Sequence, residues 1–207
     1  MRYLPYKHES MVKVIIGGDA KMIFYHVSDS NLVGKVRTPN YLNLKRFISP
    51  FVTACYAGED VFIATVIAAR YSDERVSSMI PSAGSIHQKM ACEGVFEYVR
   101  CLEYSNLTPR YNAVYLFKTK ADCIDFINKY QNNKHIYKVI IDSEPVRYDM
   151  NLFNIANNLI SVIYNKNDNN YQKVIELARA YWKGQSSANP VYEYLCDKSI
   201  ILLEDKE

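Results

Sequence analysis

"PRYNAVYLFKTKADCIDFINKY", residues 109–130, sets a β-rich run, a Thr-Lys step and a helical run in direct succession. The first part, "YNAVYLF", carries the β-branched and aromatic types that suit a pleated, half-buried surface, and it reads as a strand. The second part, "TKADCIDFINKY", puts Ala121, Ile124 and Ile127 or Cys123 on an inward helical face and gives Thr119 as the cap of its first turn. A strand thus leads straight into a helix.

The same mixture recurs on both sides. Toward the N-terminus, "MVKVII" (Met11 to Ile16) and "MIFYHV" (Met22 to Val27) flank Gly17-Gly18-Asp19 and read as an opening hairpin. "YLNLKRFISPF" reads as a short helix ended before Pro50, and "DVFIATVIAARY" fits a buried strand or a helix and is read as helix. In "SIHQKMACEGVFEYVRCLEYS", Met90, Ala91, Val95, Val99 and Leu102 recur at helical spacing, with Ser85 as N-cap. Its opposite face carries Glu93, Glu97 and Arg100.

Toward the C-terminus, "HIYKVIID" reads as a strand, "NKNDNNYQK" from Asn165 as a loop and "YQKVIELARAYW" as a helix stopped at Gly184. "KSIILLE" reads as a closing strand. The order of strands and helices predicts an α+β fold, and the 207 residues suit one domain, or one domain with a small annex, with a sizeable core; the reading taken is a single domain over 1–207.

Hydrophobic content of 49% and charged content of 23% are ordinary for a globular protein. The 25 Lys+Arg against 22 Asp+Glu give a net +3, too small and too evenly spread to imply nucleic-acid binding by electrostatics. The 5 cysteines are odd in number and form no C-x-x-C pair, which suits reduced thiols in a cytoplasm better than a disulfide framework or a zinc site. "MRYLPYKHES" lacks an apolar leader, and "VFIATVIAA" from Val61 is too short to span a bilayer, so neither export nor a membrane span is expected.

The chemical inventory is narrow. There is no phosphate-binding G-x-x-x-x-G-K-[ST] loop, and Gly17-Gly18 alone is no dinucleotide fingerprint. There is no H-E-x-x-H or G-x-S-x-G, and His8, His26, His87 and His135 are too dispersed for a metal cluster. Metal-free chemistry, or none, is what the sequence leaves.

Three stretches share a resemblance. The strand that closes on Tyr25-His26-Val27 and hands over to Ser28 and a loop resembles the first motif of the diphtheria-toxin-like ADP-ribosyltransferase superfamily, His-Tyr-Glu type. "PRYNAVYLFKTKADCIDFINKY" is similar to its second motif, with Tyr115 as the matching aromatic. "ARAYWKGQSSANPVYEYLCDKSIILLE", with "EGVFEYVR" upstream, looks like the C-terminal pattern of a bacterial and phage branch of that superfamily. Where that branch has Pro-Ser-Arg before the second motif, this chain reads Thr108-Pro109-Arg110 and keeps the arginine. An E-x-E or Q-x-E pair is absent, since Val191 stands two places before Glu193.

The resemblance implies a split, curved β-sheet core with flanking helices, on which His26, Tyr115 and Glu193 converge at a cleft. It implies NAD as substrate, with ADP-ribose transferred to a macromolecular acceptor, protein or nucleic acid, or NAD hydrolysed. Glu193, taken as an exposed acid before the terminal strand, would be catalytic. His26 with its neighbour Tyr25 would meet the ribose and nicotinamide amide, Tyr115 would stack on the nicotinamide, and Arg110 or Arg100 would meet the pyrophosphate. The chemistry is coherent: cleaving the nicotinamide–ribose bond develops positive charge on the sugar, which a nearby carboxylate stabilises.

Each residue also has a plainer reading. His26 could be a satisfied histidine at a strand end, Tyr115 one of 18 tyrosines used in packing, and Glu193 a solvated acid. Glu93, Glu97 and Arg100 could form an exposed charged helix face. Accordingly a second class of function stands beside the first, a catalytically inactive relative acting as a nucleotide-binding or protein-interaction module. A third, nucleic-acid binding by tyrosine stacking, lacks a basic groove.

Overall fold

The structure, a computed structural model, describes residues 13–16, 19–28, 31–39, 43–77, 86–130, 134–165, 167 and 169–204. In chain order its elements are β1 (Lys13–Ile16), β2 (Asp19–Ser28), β3 (Val36–Arg37), α1 (Lys45–Ala57), α2 (Glu59–Ser77), α3 (Ile86–Glu103), a 3-10 turn (Arg110–Asn112), β4 (Val114–Leu116), α4 (Lys120–Tyr130), β5 (His135–Ile141), β6 (Val146–Asp149), α5 (Met150–Ser161), α6 (Asn170–Trp182), β7 (Tyr192–Cys196), β8 (Ile200–Ile201) and β9 (Leu203–Glu204). This is a mixed α+β fold. It divides into two compact units, Met1–Val36, Leu116–Pro145 and Ile200–Glu207 forming the first and Arg37–Tyr115 with Val146–Ser199 the second.

The first unit is built on an antiparallel sheet of order β1-β2-β5-β9. β1 and β2 form the hairpin that the glycine turn predicts, with Ile16 opposite Asp19. β2 then pairs along its length with β5, Phe24 opposite Val139 and His26 opposite Tyr137. Because side chains alternate across a strand, Phe24, His26 and Ser28 share the buried face while Tyr25 lies on the other. Phe117 pairs with Tyr25 through two backbone hydrogen bonds of 2.9 and 2.8 Å and brings its ring to within 5.0 Å of Phe126 on α4. The capping of α4 by Thr119 is reciprocal: the Thr119 hydroxyl accepts from the Asp122 amide at 3.1 Å while the Asp122 carboxylate accepts from the Thr119 amide at 3.0 Å. Of the residues assigned to its inner face, Cys123 is buried, but Ala121 is exposed and Ile124 is 45% exposed.

The second unit is a helical cluster with a small sheet of order β4-β7-β6. α3 is buried on nearly every side, and its neighbours are α1, α2, α5 and α6. Gly94 makes that possible: a Cβ there would stand 2.5 Å from Cβ of Phe51 on α1. α1 does not stop before Pro50 but continues to Ala57 with the proline inside it. Burial of Ile48, Phe51, Ala54 and Cys55 against the core outweighs the one backbone hydrogen bond that the proline removes. The segment "DVFIATVIAARY" is helical, and "SIHQKMACEGVFEYVRCLE" is helical from Ile86, its proposed cap Ser85 lying outside the described residues. Leu102, expected inside, is 55% exposed.

Gly184 ends α6 as expected, with a left-handed φ of 71°. The Gly184 amide donates to the Tyr181 carbonyl and the Gln185 amide to the Ala180 carbonyl, satisfying carbonyls that the helix end leaves open. This termination fixes Tyr181 and Trp182 on the last helical turn. Among the described residues no helix is long and apolar enough to cross a membrane.

Candidate functional site

The charges of α3 are the first surprise of the second unit. Glu93, Glu97 and Arg100, spaced to share one helix face, are not a solvated stripe but are all buried. Burial of a charge is tolerated only when a partner compensates it. Arg100 answers Glu97 on the same helix with a two-pronged pair at 2.7 and 2.8 Å. Its remaining nitrogen donates to the Ser105 carbonyl at 3.1 Å and the Leu107 carbonyl at 2.9 Å. Arg100 therefore organises the loop that carries the chain from α3 to Pro109 and Arg110.

Arg110 opens the 3-10 turn before β4 and answers Glu93. Its Nε donates to Glu93 Oε2 at 3.1 Å and Nη2 to Glu93 Oε1 at 3.4 Å. On the other side Nη1 donates to Tyr181 Oη at 2.5 Å and to Glu193 Oε1. Tyr181 in turn donates its hydroxyl to the same Glu193 oxygen at 2.7 Å. The guanidinium lies 4.3 Å from the ring centre of Phe153 and 5.0 Å from that of Tyr181, so aromatic faces line the cation where carboxylates do not. Glu93, Arg110 and Glu193 are 4%, 5% and 2% exposed, which makes this a desolvated cluster of two acids on one cation.

Burial alone would depress the Arg110 guanidinium, but Glu193 and Glu93 outweigh it and push its pKa well above the usual value. Burial, only partly offset by Arg110, likewise pushes the Tyr181 phenol well up, and the adjacent Glu193 adds to the rise. Tyr181 is therefore a permanent O–H donor to Glu193.

Tyr115, on β4, donates its hydroxyl to the backbone carbonyl of Arg110 at 3.0 Å, and its ring lies 5.3 Å from the guanidinium. Glu193, on β7, faces inward because the strand alternates Glu193 and Leu195 toward the core with Tyr192 and Tyr194 away from it. Glu193 does precede the terminal strands β8 and β9, as the sequence reading has it, but it is not exposed: it is a buried member of β7, the central strand of its sheet. Arg110, Tyr115 and Glu193 are brought together in the second unit, and Arg100 belongs to the pair it makes with Glu97, which lies one turn of α3 after Glu93. His26, 2% exposed, and Tyr25 belong to the first unit.

The carboxylates differ in how they are used. Both oxygens of Glu93 accept from Arg110, and both oxygens of Glu97 accept from Arg100. The side-chain hydrogen bonds of Glu193 among the described residues all fall on Oε1.

Asp149, which the sequence reading does not single out, ties the loop before β7 to α5. Its buried carboxylate caps α5 by accepting from the Asn151 amide at 2.9 Å, and it also accepts from the amides of Ser187 at 2.7 Å and Val191 at 2.9 Å. Through it the loop before β7 is tied to the start of the helix that supplies Phe153. The signal was present: Asp before an apolar helical period is an N-cap pattern. From the sequence, Glu93 reads as part of a charged helix face that could also face the cleft, and Tyr181 as part of a helix end.

Residues 47–207 match the family described as Protein of unknown function (DUF2441). The chain belongs to the DUF2441 family. In this DUF2441 chain the matched span contains Glu93, Arg110, Tyr115, Tyr181 and Glu193, while Tyr25 and His26 precede it. No curated protein matches the chain.

Proposed function

We propose that this DUF2441 protein is an ADP-ribosyltransferase-like protein that binds NAD and transfers its ADP-ribose to a macromolecule, protein or nucleic acid, or hydrolyses it, with Glu193 as the catalytic carboxylate. The observation that carries the reading is the unequal use of the buried acids. Among the described residues, both oxygens of Glu93 and of Glu97 are taken up in arginine forks, whereas Glu193 is held by one oxygen only. A buried carboxylate that keeps an oxygen out of the protein's own hydrogen bonds calls for an explanation, and stabilising a developing oxocarbenium ion is one.

Tyr115, whose ring lies 5.3 Å from the Arg110 guanidinium that Glu193 accepts from, supplies a flat face suited to a nicotinamide ring. Arg110 spends its donors on Glu93, Glu193 and the Tyr181 hydroxyl, and Arg100 on Glu97 and two loop carbonyls; in this reading Arg110 builds the acid's surroundings, Arg100 the loop that leads to it, and either meets a pyrophosphate second. A split, curved sheet core is the finer fold proposed, and for the first unit taken by itself His26 and Tyr25 keep the role at a ribose and an amide that the resemblance gives them. A second reading, a catalytically inactive nucleotide-binding or interaction module, is favoured by the Arg110–Glu193 ion pair itself, which already neutralises the acid in a nearly water-free setting.

Incubation with NAD labelled in its adenylate half, in the presence of a cell lysate, separates the two. Free nicotinamide with label in a protein or nucleic-acid fraction supports transfer, and free nicotinamide without it supports hydrolysis. Label in neither fraction and no nicotinamide rejects catalysis and leaves the module.

A further inference from the structure

The Tyr-Trp end of α6 has so far only a structural place, and Tyr181 exceeds it. The ring is wholly buried, stacked on Tyr148 with centroids 4.6 Å apart and edge-on to Phe96 and Trp182 at 5.3 and 5.0 Å. Packing of this kind needs a phenyl ring, and a phenylalanine would supply it. The hydroxyl costs free energy to bury unless it is bonded. Here it is bonded twice, as acceptor from Arg110 Nη1 at 2.5 Å and as donor to Glu193 Oε1 at 2.7 Å.

Those two bonds close a three-membered ring of contacts, since Arg110 Nη1 also donates to Glu193 Oε1. A carboxylate held at one oxygen by a single donor can still turn about its own axis. Held at the same oxygen by two donors from different directions, it cannot turn without breaking one. Tyr181 is rigid for its part, because three aromatic rings fix its plane and the helix stop at Gly184 fixes its backbone.

We propose that Tyr181 is a positioning residue for Glu193: its hydroxyl, bridging Arg110 and Glu193, locks the carboxylate with Oε1 against the protein and reserves Oε2 for the substrate's electron-poor sugar carbon. The proposal rests on the reading of Glu193 as the acid and adds which group orients it and which oxygen acts. No proton passes through Tyr181, whose phenol keeps its hydrogen throughout.

The test is Tyr181→Phe, which keeps the ring and removes the hydroxyl, with Tyr148→Phe as packing control. The Tyr148 hydroxyl makes no hydrogen bond to Glu193 among the described residues. Nicotinamide release from NAD should fall about tenfold to a hundredfold in kcat for Tyr181→Phe, the worth of one hydrogen bond to a charged group, with KM within about twofold of wild type. Tyr148→Phe should keep its kcat. An unchanged kcat in Tyr181→Phe, an equal loss in both variants, or a loss seen in KM alone overturns the proposal. If the wild type releases no nicotinamide, the catalytic reading fails by itself, and crystal structures of wild type and Tyr181→Phe decide the positioning role. A Glu193 carboxylate turned or split between two rotamers in the variant upholds that role, and one unmoved from Arg110 overturns it.

Discussion

Replacing Arg110 by methionine tests whether the buried cluster is a single electrostatic unit. Methionine keeps an unbranched apolar stem against Phe153 and Tyr181, whose ring centres lie 4.3 and 5.0 Å from the guanidinium, so the packing lost is small. What is lost is the cation shared by two carboxylates that are 4% and 2% exposed. Removing one partner of a buried ion pair costs about 3–5 kcal/mol, and with two acids left uncompensated the upper end, about 5 kcal/mol, is expected. For a chain of this length that is a fall in Tm of about 10–20 °C. Calorimetry and urea unfolding at neutral pH measure it.

The same logic fixes the sign of a double substitution. Glu93→Gln alone should destabilise, because it breaks the Arg110 fork, but in the Arg110→Met background it should recover stability by removing an uncompensated charge. A cost below about 1 kcal/mol for Arg110→Met, typical of an exposed pair, would refute the reasoning, as would a double variant less stable than Arg110→Met itself.

Three further outcomes follow from the described geometry. Asp149→Asn replaces one of the two acceptor oxygens by an NH2 group and leaves at least one of the three amide donors without its acceptor, so it should cost about 1–3 kcal/mol and speed hydrogen exchange at the Ser187 and Val191 amides; unchanged exchange there would contradict the tie between that loop and α5. Burial pushes the Cys55 thiol from 9.0 up to about 12 and the Tyr148 phenol from 10.0 up to about 12. Both groups are neutral when protonated and have raised folded pKa values, so their contribution is intact below about pH 9 and is lost between about pH 9 and 12; flat stability across that window would contradict it. Tyr115→Ala should weaken NAD binding by about 1–3 kcal/mol while Tyr115→Phe keeps most of it, and equal affinity in wild type and Tyr115→Ala would return the tyrosine to packing alone.

What could be read from the sequence was local. The Gly17-Gly18 hairpin, the Thr119 cap and the Gly184 stop are each decided within a few residues, and each is found in the structure at or within a few residues of its place. α5 escaped because Asn151, Asn154, Asn157 and Asn158 dilute its helical signal, although Met150, Leu152, Phe153, Ala156 and Ile160 mark a buried face. Pro50 misled in the opposite direction, since the packing that carries α1 past it comes from α3, remote in sequence. The cluster was half legible: Arg110, Tyr115 and Glu193 were singled out, but their burial was not. A lone acid between two tyrosines reads as solvated, and only a partner 83 residues away tells otherwise. Glu93 and Tyr181 were hidden for the same reason, because a compensated charge and a bonded hydroxyl look like surface and packing until the chain brings their partners to them.

Glu193→Gln tests the central claim most directly. The amide keeps the shape and can still accept from Arg110 and Tyr181 at its oxygen, while Glu93 continues to hold the guanidinium, so the fold and NAD affinity should stay close to wild type. Only the charge that would stabilise the sugar cation is gone, and nicotinamide release from NAD should drop by about a hundredfold or more, in kcat and not in binding. Full activity in Glu193→Gln, measured beside an active wild type, would contradict the account and move the chemistry to another carboxylate.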